Sequence, residues 1–206
     1  MNRGKLITLE GIEGVGKTTH LSFITSQLEQ MGHTVVVTRE PGGTRAGEAI
    51  RDILLHGKDI KIEAMTELLL IFAARAQHLQ EVVRPALAAG SLIVCDRFTD
   101  ASYAYQGGGR GLAMADIKQL EKLVQQGLQP DLTLLFDASV QTGLARANRR
   151  GQADRFENET VHFFERVRQT YLDRADDEPA RFRIIDAEQP IAAVEQQLRR
   201  ILETAL

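Results

Sequence analysis

The sequence predicts an α/β fold, a parallel β-sheet flanked by helices, and three observations predict it. Five short β-rich segments are almost continuously apolar instead of alternating, as strands buried on both faces are. The intervals between them leave room for a helix each time. The first segment runs into a glycine-rich loop and then an amphipathic helix, the order of a phosphate-binding βα unit. A chain of 206 residues fits one domain and is long enough to bury a full core.

In order, the strands are expected at Lys5–Glu10, Thr34–Thr38, Leu92–Asp96, Leu132–Asp137 and Phe182–Asp186. A helix is expected over Thr18–Met31, where Leu21, Ile24, Leu28 and Met31 share a face and Gly32 supplies the stop. Glu63–Ala89 reads as one long helix, kinked at Pro85 and stopped by Gly90. Further helices are expected at Asp116–Gln126, Val140–Arg150 and Thr160–Ala175. Pro190 suits the first turn of a last helix carrying Ile191, Val194, Leu198 and Leu202. The polar stretch 146–159 is the most loop-like region and the candidate for a mobile flap.

Composition narrows the class. The net charge of −3 argues against a general nucleic-acid binder, which carries a strongly basic face. Yet 19 of the 25 basic residues are arginine, whose planar fork grips phosphate or carboxylate in bidentate fashion. A GC-rich genome would give the same excess. The longest fully apolar run, Leu68–Ala74, is too short to span a membrane. The N-terminus lacks the apolar core of a signal peptide, and Cys95 is the lone cysteine. These features leave a cytoplasmic enzyme or binding protein, without a cysteine-based zinc site.

Gly11-Ile12-Glu13-Gly14-Val15-Gly16-Lys17-Thr18, with Thr19 beside it, matches G-x-x-x-x-G-K-[ST]. The glycines let backbone N–H groups converge on phosphate oxygens at a helix N-terminus. Lys17 can reach the β- and γ-phosphates and Thr18 can ligate Mg²⁺. The base-reading N-K-x-D and switch D-x-x-G motifs of GTPases do not occur. Two strands end in a carboxylate that could serve the metal, Asp96 and Asp137. Asp96 is favoured because Arg97 follows it and offers a guanidinium to a second phosphate. Asp137, before Ala138 and Ser139, reads as a helix N-terminal signal.

Further clusters suggest a second anion site. Arg39-Glu40-Pro41-Gly42-Gly43-Thr44 follows the second strand, where the ligand crevice of a parallel sheet opens, although a surface turn would look the same. Phe72 and Arg75 share a helix face, which suits a nucleobase or equally a core ring with a snorkelling arginine. Asp96-Arg97-Phe98 runs on to Ser102, Tyr105, Gln106 and Gly107-Gly108-Gly109-Arg110, a loop able to approach a base and sugar closely. Arg146, Arg149, Arg150 and Arg155 form either a solvated basic face or a lid that brings an arginine to the transferring phosphoryl group.

The set GIEGVGKT, REPGGT, FAAR, DRF…SYAYQGGGR and the arginine-rich lid resembles the thymidylate kinases, in their bacterial form, over most of the chain. The resemblance implies a P-loop nucleoside-monophosphate-kinase-like fold with a five-stranded parallel sheet, usually homodimeric, that phosphorylates dTMP to dTDP with ATP and Mg²⁺. It implies that Phe72 stacks on thymine, that Arg75 contacts the base, and that Ser102 and Gln106 lie beside it. Tyr105 would crowd the 2′ position, Glu13 would hold the 3′-hydroxyl, and Arg39 and Arg97 would hold the dTMP phosphate. Some relatives carry an arginine in the P-loop after the acidic residue, where this chain has Gly14. The catalytic arginine is therefore expected in the lid, at Arg150, with Arg149 second. A largely dianionic phosphate acceptor needs no strong general base, so Lys17, Arg97, Arg150 and Mg²⁺ would act by positioning and charge neutralisation. A kinase for another nucleotide and a non-catalytic P-loop sensor are the rival readings.

Overall fold

The computed structural model describes residues 3–56, 61–149, 155–156 and 159–205. Five strands form one parallel sheet: β1 (Leu6–Glu10), β2 (Val35–Arg39), β3 (Leu92–Asp96), β4 (Leu132–Asp137) and β5 (Phe182–Asp186). Their spatial order is β2-β3-β1-β4-β5. β1 leads out to one side and β3 leads to the other, so the crevice opens beyond the C-terminal ends of β1 and β3. The register puts functional residues there: Leu9 pairs with Asp96, and Asp96 pairs with Arg39. Every residue of β1 is buried, the polar Thr8 and Glu10 along with Leu6, Ile7 and Leu9, as expected of a central strand covered on both faces.

The helices are α1 (Lys17–Gln30), α2 (Arg45–His56), α3 (Ala64–His78), α4 (Arg84–Ala88), α5 (Thr99–Ser102), α6 (Met114–Gln125), α7 (Val140–Asn148), α8 (Val161–Asp177) and α9 (Ile191–Ala205). Two caps are sequence-local: Ser139 accepts from Thr142 N–H and Thr160 accepts from Phe163 N–H. Asp137 is therefore not the helix signal it was read as; it forms a bidentate pair with Arg168 at 2.7 and 2.8 Å.

Four features differ from expectation. The long helix does not simply kink at Pro85: α3 passes into a π-helical turn at Leu79–Val83, and α4 begins just before the proline. Proline has no N–H and its ring crowds the carbonyl four residues back, so the preceding turn widens. Helix α2 was not foreseen, because Arg45–His56 was overshadowed by the glycine-rich turn before it. The stretch Tyr103–Gly109, expected as a loop, is a second π-helical segment lying against α8. Its glycines serve close packing: a Cβ on Gly108 would stand 2.1 Å from Thr170 Oγ1. Arg146, counted with the flap, lies in the last turn of α7.

Candidate active site

A cleft of about 710 Å³ runs along the C-terminal rim of the sheet, from the loop after β5 past the P-loop to α3 and α5. Ligand clefts of a parallel α/β sheet form there. Glu13, Gly14, Val15, Gly16, Lys17, Thr18 and Thr19 line it, as do Arg75, Asp96, Arg97, Ser102, Tyr105 and Gln106. Gly11 and Ile12 are buried beneath it. Gly14 adopts φ +72°, and a Cβ there would stand 1.9 Å from the Gly143 carbonyl oxygen, so only glycine lets the loop turn against α7.

The P-loop lysine is folded onto its own loop. Lys17 Nζ donates to the carbonyls of Gly11 (2.8 Å) and Ile12 (2.9 Å). Burial, followed by the nearby Arg97 charge, pushes its pKa down to about 8.

Arg97 follows β3 in the left-handed region, φ +67°. Its N–H donates to the Leu9 carbonyl at 2.9 Å, tying β3's exit to β1. Its guanidinium donates to Glu13 Oε1 (2.8 Å) and lies 4.6 Å from the Tyr105 ring centroid. Tyr105 Oη donates to Glu13 Oε2 at 2.7 Å. Beneath them lies Glu10, which is fully buried. It accepts from Phe98 N–H (2.7 Å) and Tyr171 Oη (2.8 Å), and Tyr171 Oη in turn lies 3.3 Å from Arg97 Nη1. Burial raises the Glu10 carboxyl to about 7, with Asp100 adding to the rise. Between about pH 4.5 and 7 the folded chain thus holds a proton that the unfolded chain has lost, so this group costs stability as pH rises. Glu10→Gln is expected to flatten that part of the stability–pH curve, as read by urea unfolding; an unchanged slope would assign it to other groups.

A second buried network lies where α3 and α5 meet the cleft. Arg75 is 1% exposed. Its Nε donates to Glu40 Oε2 at 2.6 Å, and its Nη2 donates to Phe98 O (3.2 Å) and Ser102 Oγ (3.0 Å). Glu40 Oε1 also lies 2.8 Å from His78 Nδ1, whose Nε2 is 2.7 Å from Thr38 Oγ1. Arg75 Nη1, Gln106 Oε1 and Asp96 Oδ1 are all buried with no partner among the described residues. Such atoms are rare in a folded protein and mark places where something else completes the bonding.

Not every expected residue reaches the cleft. Phe72 is 2% exposed and lies 4.5 Å below the Arg75 guanidinium, packed with Leu68, Tyr103 and Ile117. Arg39 points away and pairs with Glu48 at 2.8 Å, because the Gly43 N–H also draws Glu48 toward that turn. Arg51, on the unforeseen α2, lines the cleft instead and donates to the Pro41 carbonyl at 2.9 Å. Arg149 is exposed at the end of α7, and Arg150 lies outside the described residues. Sequence reasoning also missed Glu40 and His78, and the far wall of Arg146 with 187–191. Glu40 sat inside a motif already singled out. Nothing local marked His78 or the far wall.

The chain matches the family model "Thymidylate kinase" over residues 9–198. It is 56% identical over 203 residues to the thymidylate kinase of Pseudomonas savastanoi pv. phaseolicola, covering 98% of this chain and 97% of that one. The thymidylate kinase of Ectopseudomonas mendocina shows the same identity and coverage. The crystal structure of thymidylate kinase from Ehrlichia chaffeensis superposes with a TM-score of 0.78 at 32% identity, covering 98% of this chain and 99% of that one. With the sheet order, the P-loop and the lined cleft in agreement with these matches, the chain belongs to the thymidylate kinase family, the transferases that phosphorylate dTMP to dTDP.

Proposed function

We propose that this chain carries a phosphoryl group from ATP to dTMP between two seats of the one cleft. ATP sits with its phosphates on residues 11–19 and its base toward Arg146 and the loop 187–191. dTMP sits between Arg97 and the Arg75–Gln106 wall. The observation that carries the acceptor assignment is the pair of unpartnered buried atoms on that wall, Arg75 Nη1 and Gln106 Oε1. One is a donor and the other an acceptor. Thymine presents the complement, the O4 acceptor beside the N3–H donor, whereas cytosine presents the reverse and would leave both protein atoms unpaired.

Ser102 braces Arg75, and Tyr105 and Glu13 face the sugar. Arg97, aided by Arg51 and by Arg39 on release from Glu48, holds the acceptor phosphate. Phe72 supports the base wall from behind Arg75, and its stacking on thymine would require Arg75 to shift. Lys17 leaves the Gly11 and Ile12 carbonyls for the ATP phosphates. Thr18, exposed in the cleft, and Asp96, with its free Oδ1, fit as holders of Mg²⁺. Bound there, the ion would supply charge neutralisation at the β- and γ-phosphates. The acceptor brings its own nucleophilic oxygen, so the protein's part is alignment and removal of water.

The test is an acceptor series with ATP and Mg²⁺. dTMP is expected to turn over far faster than dCMP, dGMP or AMP, and equal rates would sink the assignment. The segment 146–159 is proposed as the lid, with Arg150 on the transferring group. Arg150→Ala should lower kcat more than it raises KM for dTMP; an unchanged kcat would move the role to Arg149.

Homodimerisation is part of the proposal. It is supported by α3, which is not all core: Met65 and Leu69 are 40% and 50% exposed, beside Ile53 of α2. Light scattering would read it. A cytoplasmic location is supported by the buried free thiol of Cys95, and no helix among the described residues is long and apolar enough to cross a membrane.

A further inference from the structure

The direction in which Gln106 faces is not its own choice. A side-chain amide has one accepting and one donating end of nearly equal shape, and a half-turn exchanges them. In a pocket that tells thymine from cytosine by hydrogen bonds, that half-turn would invert what the residue reads. Something must fix it.

Glu67 is placed to do so. It sits on α3, fully buried, and is not among the residues that line the cleft, as Gln106 is. Gln106 Nε2 donates to Glu67 Oε1 at 2.8 Å. The same carboxylate takes Arg110 Nε at 3.2 Å, Arg110 Nη2 at 3.3 Å, and the Arg155 guanidinium. Both oxygens of the carboxylate thus accept from N–H donors, Oε1 from Gln106 and Arg110 and Oε2 from Arg110 and Arg155. An amide oxygen turned toward it would put two acceptors in contact, in an interior where neither finds water. The NH₂ is therefore held on Glu67, and Oε1 of this cleft-lining residue is left without a partner.

We propose that Glu67 is a specificity-determining positioning residue: by locking the Gln106 amide it makes the pocket read a base with an N3–H, and it does this without touching substrate. The proposal rests on the assignment of the acceptor seat to dTMP. It also has a structural corollary. Arg155 belongs to the lid segment and shares the carboxylate with Gln106, so the lid and the base reader are tied to one buried charge.

The experiment compares dTMP with 5-methyl-dCMP, which keeps the shape and methyl group of dTMP and exchanges only the pattern at positions 3 and 4. In Glu67→Gln the residue facing Gln106 can donate or accept, so the amide is free to turn. The dTMP/5-methyl-dCMP ratio of kcat/KM is expected to fall about tenfold, the worth of one misdirected hydrogen bond. A merely structural role would lower both values together and leave the ratio unchanged, which would overturn the proposal. Gln106→Leu is measured in parallel and should lose the same discrimination, with the double variant no worse than Gln106→Leu alone. If Gln106→Leu leaves the ratio intact, the base-seat reading itself fails. If it collapses the ratio while Glu67→Gln does not, only the role of Glu67 fails. Should Glu67→Gln not fold because Arg155 is left unpaired, Glu67→Gln with Arg155→Gln removes that charge and is held to the same ratio.

Discussion

Lys17→Met is expected to lower kcat for dTMP phosphorylation by about 10²–10³-fold without lowering the melting temperature of the nucleotide-free protein. The loss of rate follows from removing the one P-loop cation that can follow charge onto the β- and γ-phosphates, an interaction strongest in the transition state. The stability half is less intuitive. Lys17 now spends its charge on two backbone carbonyls of its own loop, in a place that pushes its pKa from 10.5 to about 8. That depression corresponds to about 3 kcal/mol against the charged form at neutral pH. Methionine keeps the apolar stem and drops the buried charge, which offsets the two lost hydrogen bonds. Between about pH 8 and 10.5 the unfolded chain carries a proton on this lysine that the folded chain has released. The wild type therefore gains stability with pH there, and the variant should lack that gain. Calorimetry across this range, beside single-turnover kinetics, reads both. A variant that melted well below the wild type would mean that the carbonyl bonds outweigh the desolvation.

Arg75→Met should be the most destabilising substitution in the cleft, at about 3–5 kcal/mol, the usual cost of removing one partner of a buried ion pair. For a chain of this size that is a fall of about 10 °C or more in Tm. Arg75 is 1% exposed, and its loss leaves Glu40, itself 3% exposed, with only His78. It also removes the bonds to Phe98 O and Ser102 Oγ and the stacking between the Phe72 and Phe98 rings, whose centroids lie 4.5 and 5.2 Å from the guanidinium carbon. The check is a cycle: Arg75→Met with Glu40→Gln should recover part of the loss, because the stranded charge is gone. No recovery would place the cost in packing instead. Preference for dTMP should fall in both variants.

These two residues show what the sequence could and could not reveal. β3, β4 and β5 were legible to the residue, because a short, mostly apolar, β-rich run ending in aspartate has few other meanings in an α/β chain, although the edge strand β5 carries Arg183 and is exposed at Arg183, Ile184 and Asp186. The P-loop was legible because its chemistry is local: the N–H groups of one short glycine-rich stretch and one lysine make the cradle. What stayed hidden depends on distance in sequence. Glu40 meets Arg75 across 35 residues, Glu10 meets Tyr171 across 161, and Glu67 meets Gln106 across 39. No periodicity encodes such pairs. The arginines outside every motif were equally opaque. A GC-rich genome would supply Arg166, Arg168, Arg174 and Arg181 as readily, yet Arg166 donates to the Gly109 carbonyl, Arg168 to Asp137, and Arg174 and Arg181 both to Asp100. Part of the excess is thus structural. The helix α2 was hidden for a different reason: the turn Pro41–Thr44 advertised a loop more loudly than Ile50 and Leu54 advertised a helix face.

The left-handed backbone of Arg97 bears on how the enzyme should be engineered. Glycine takes φ +67° without the ~1–2 kcal/mol that a side chain incurs there. A library sorted only for heat resistance or expression would therefore drift toward glycine or asparagine at position 97, and would discard a cation that lines the cleft. Selection for robustness and selection for turnover pull apart at this one residue. A screen that counts survivors after heating has to count dTDP as well, or its winners will be well-folded proteins that no longer transfer phosphate.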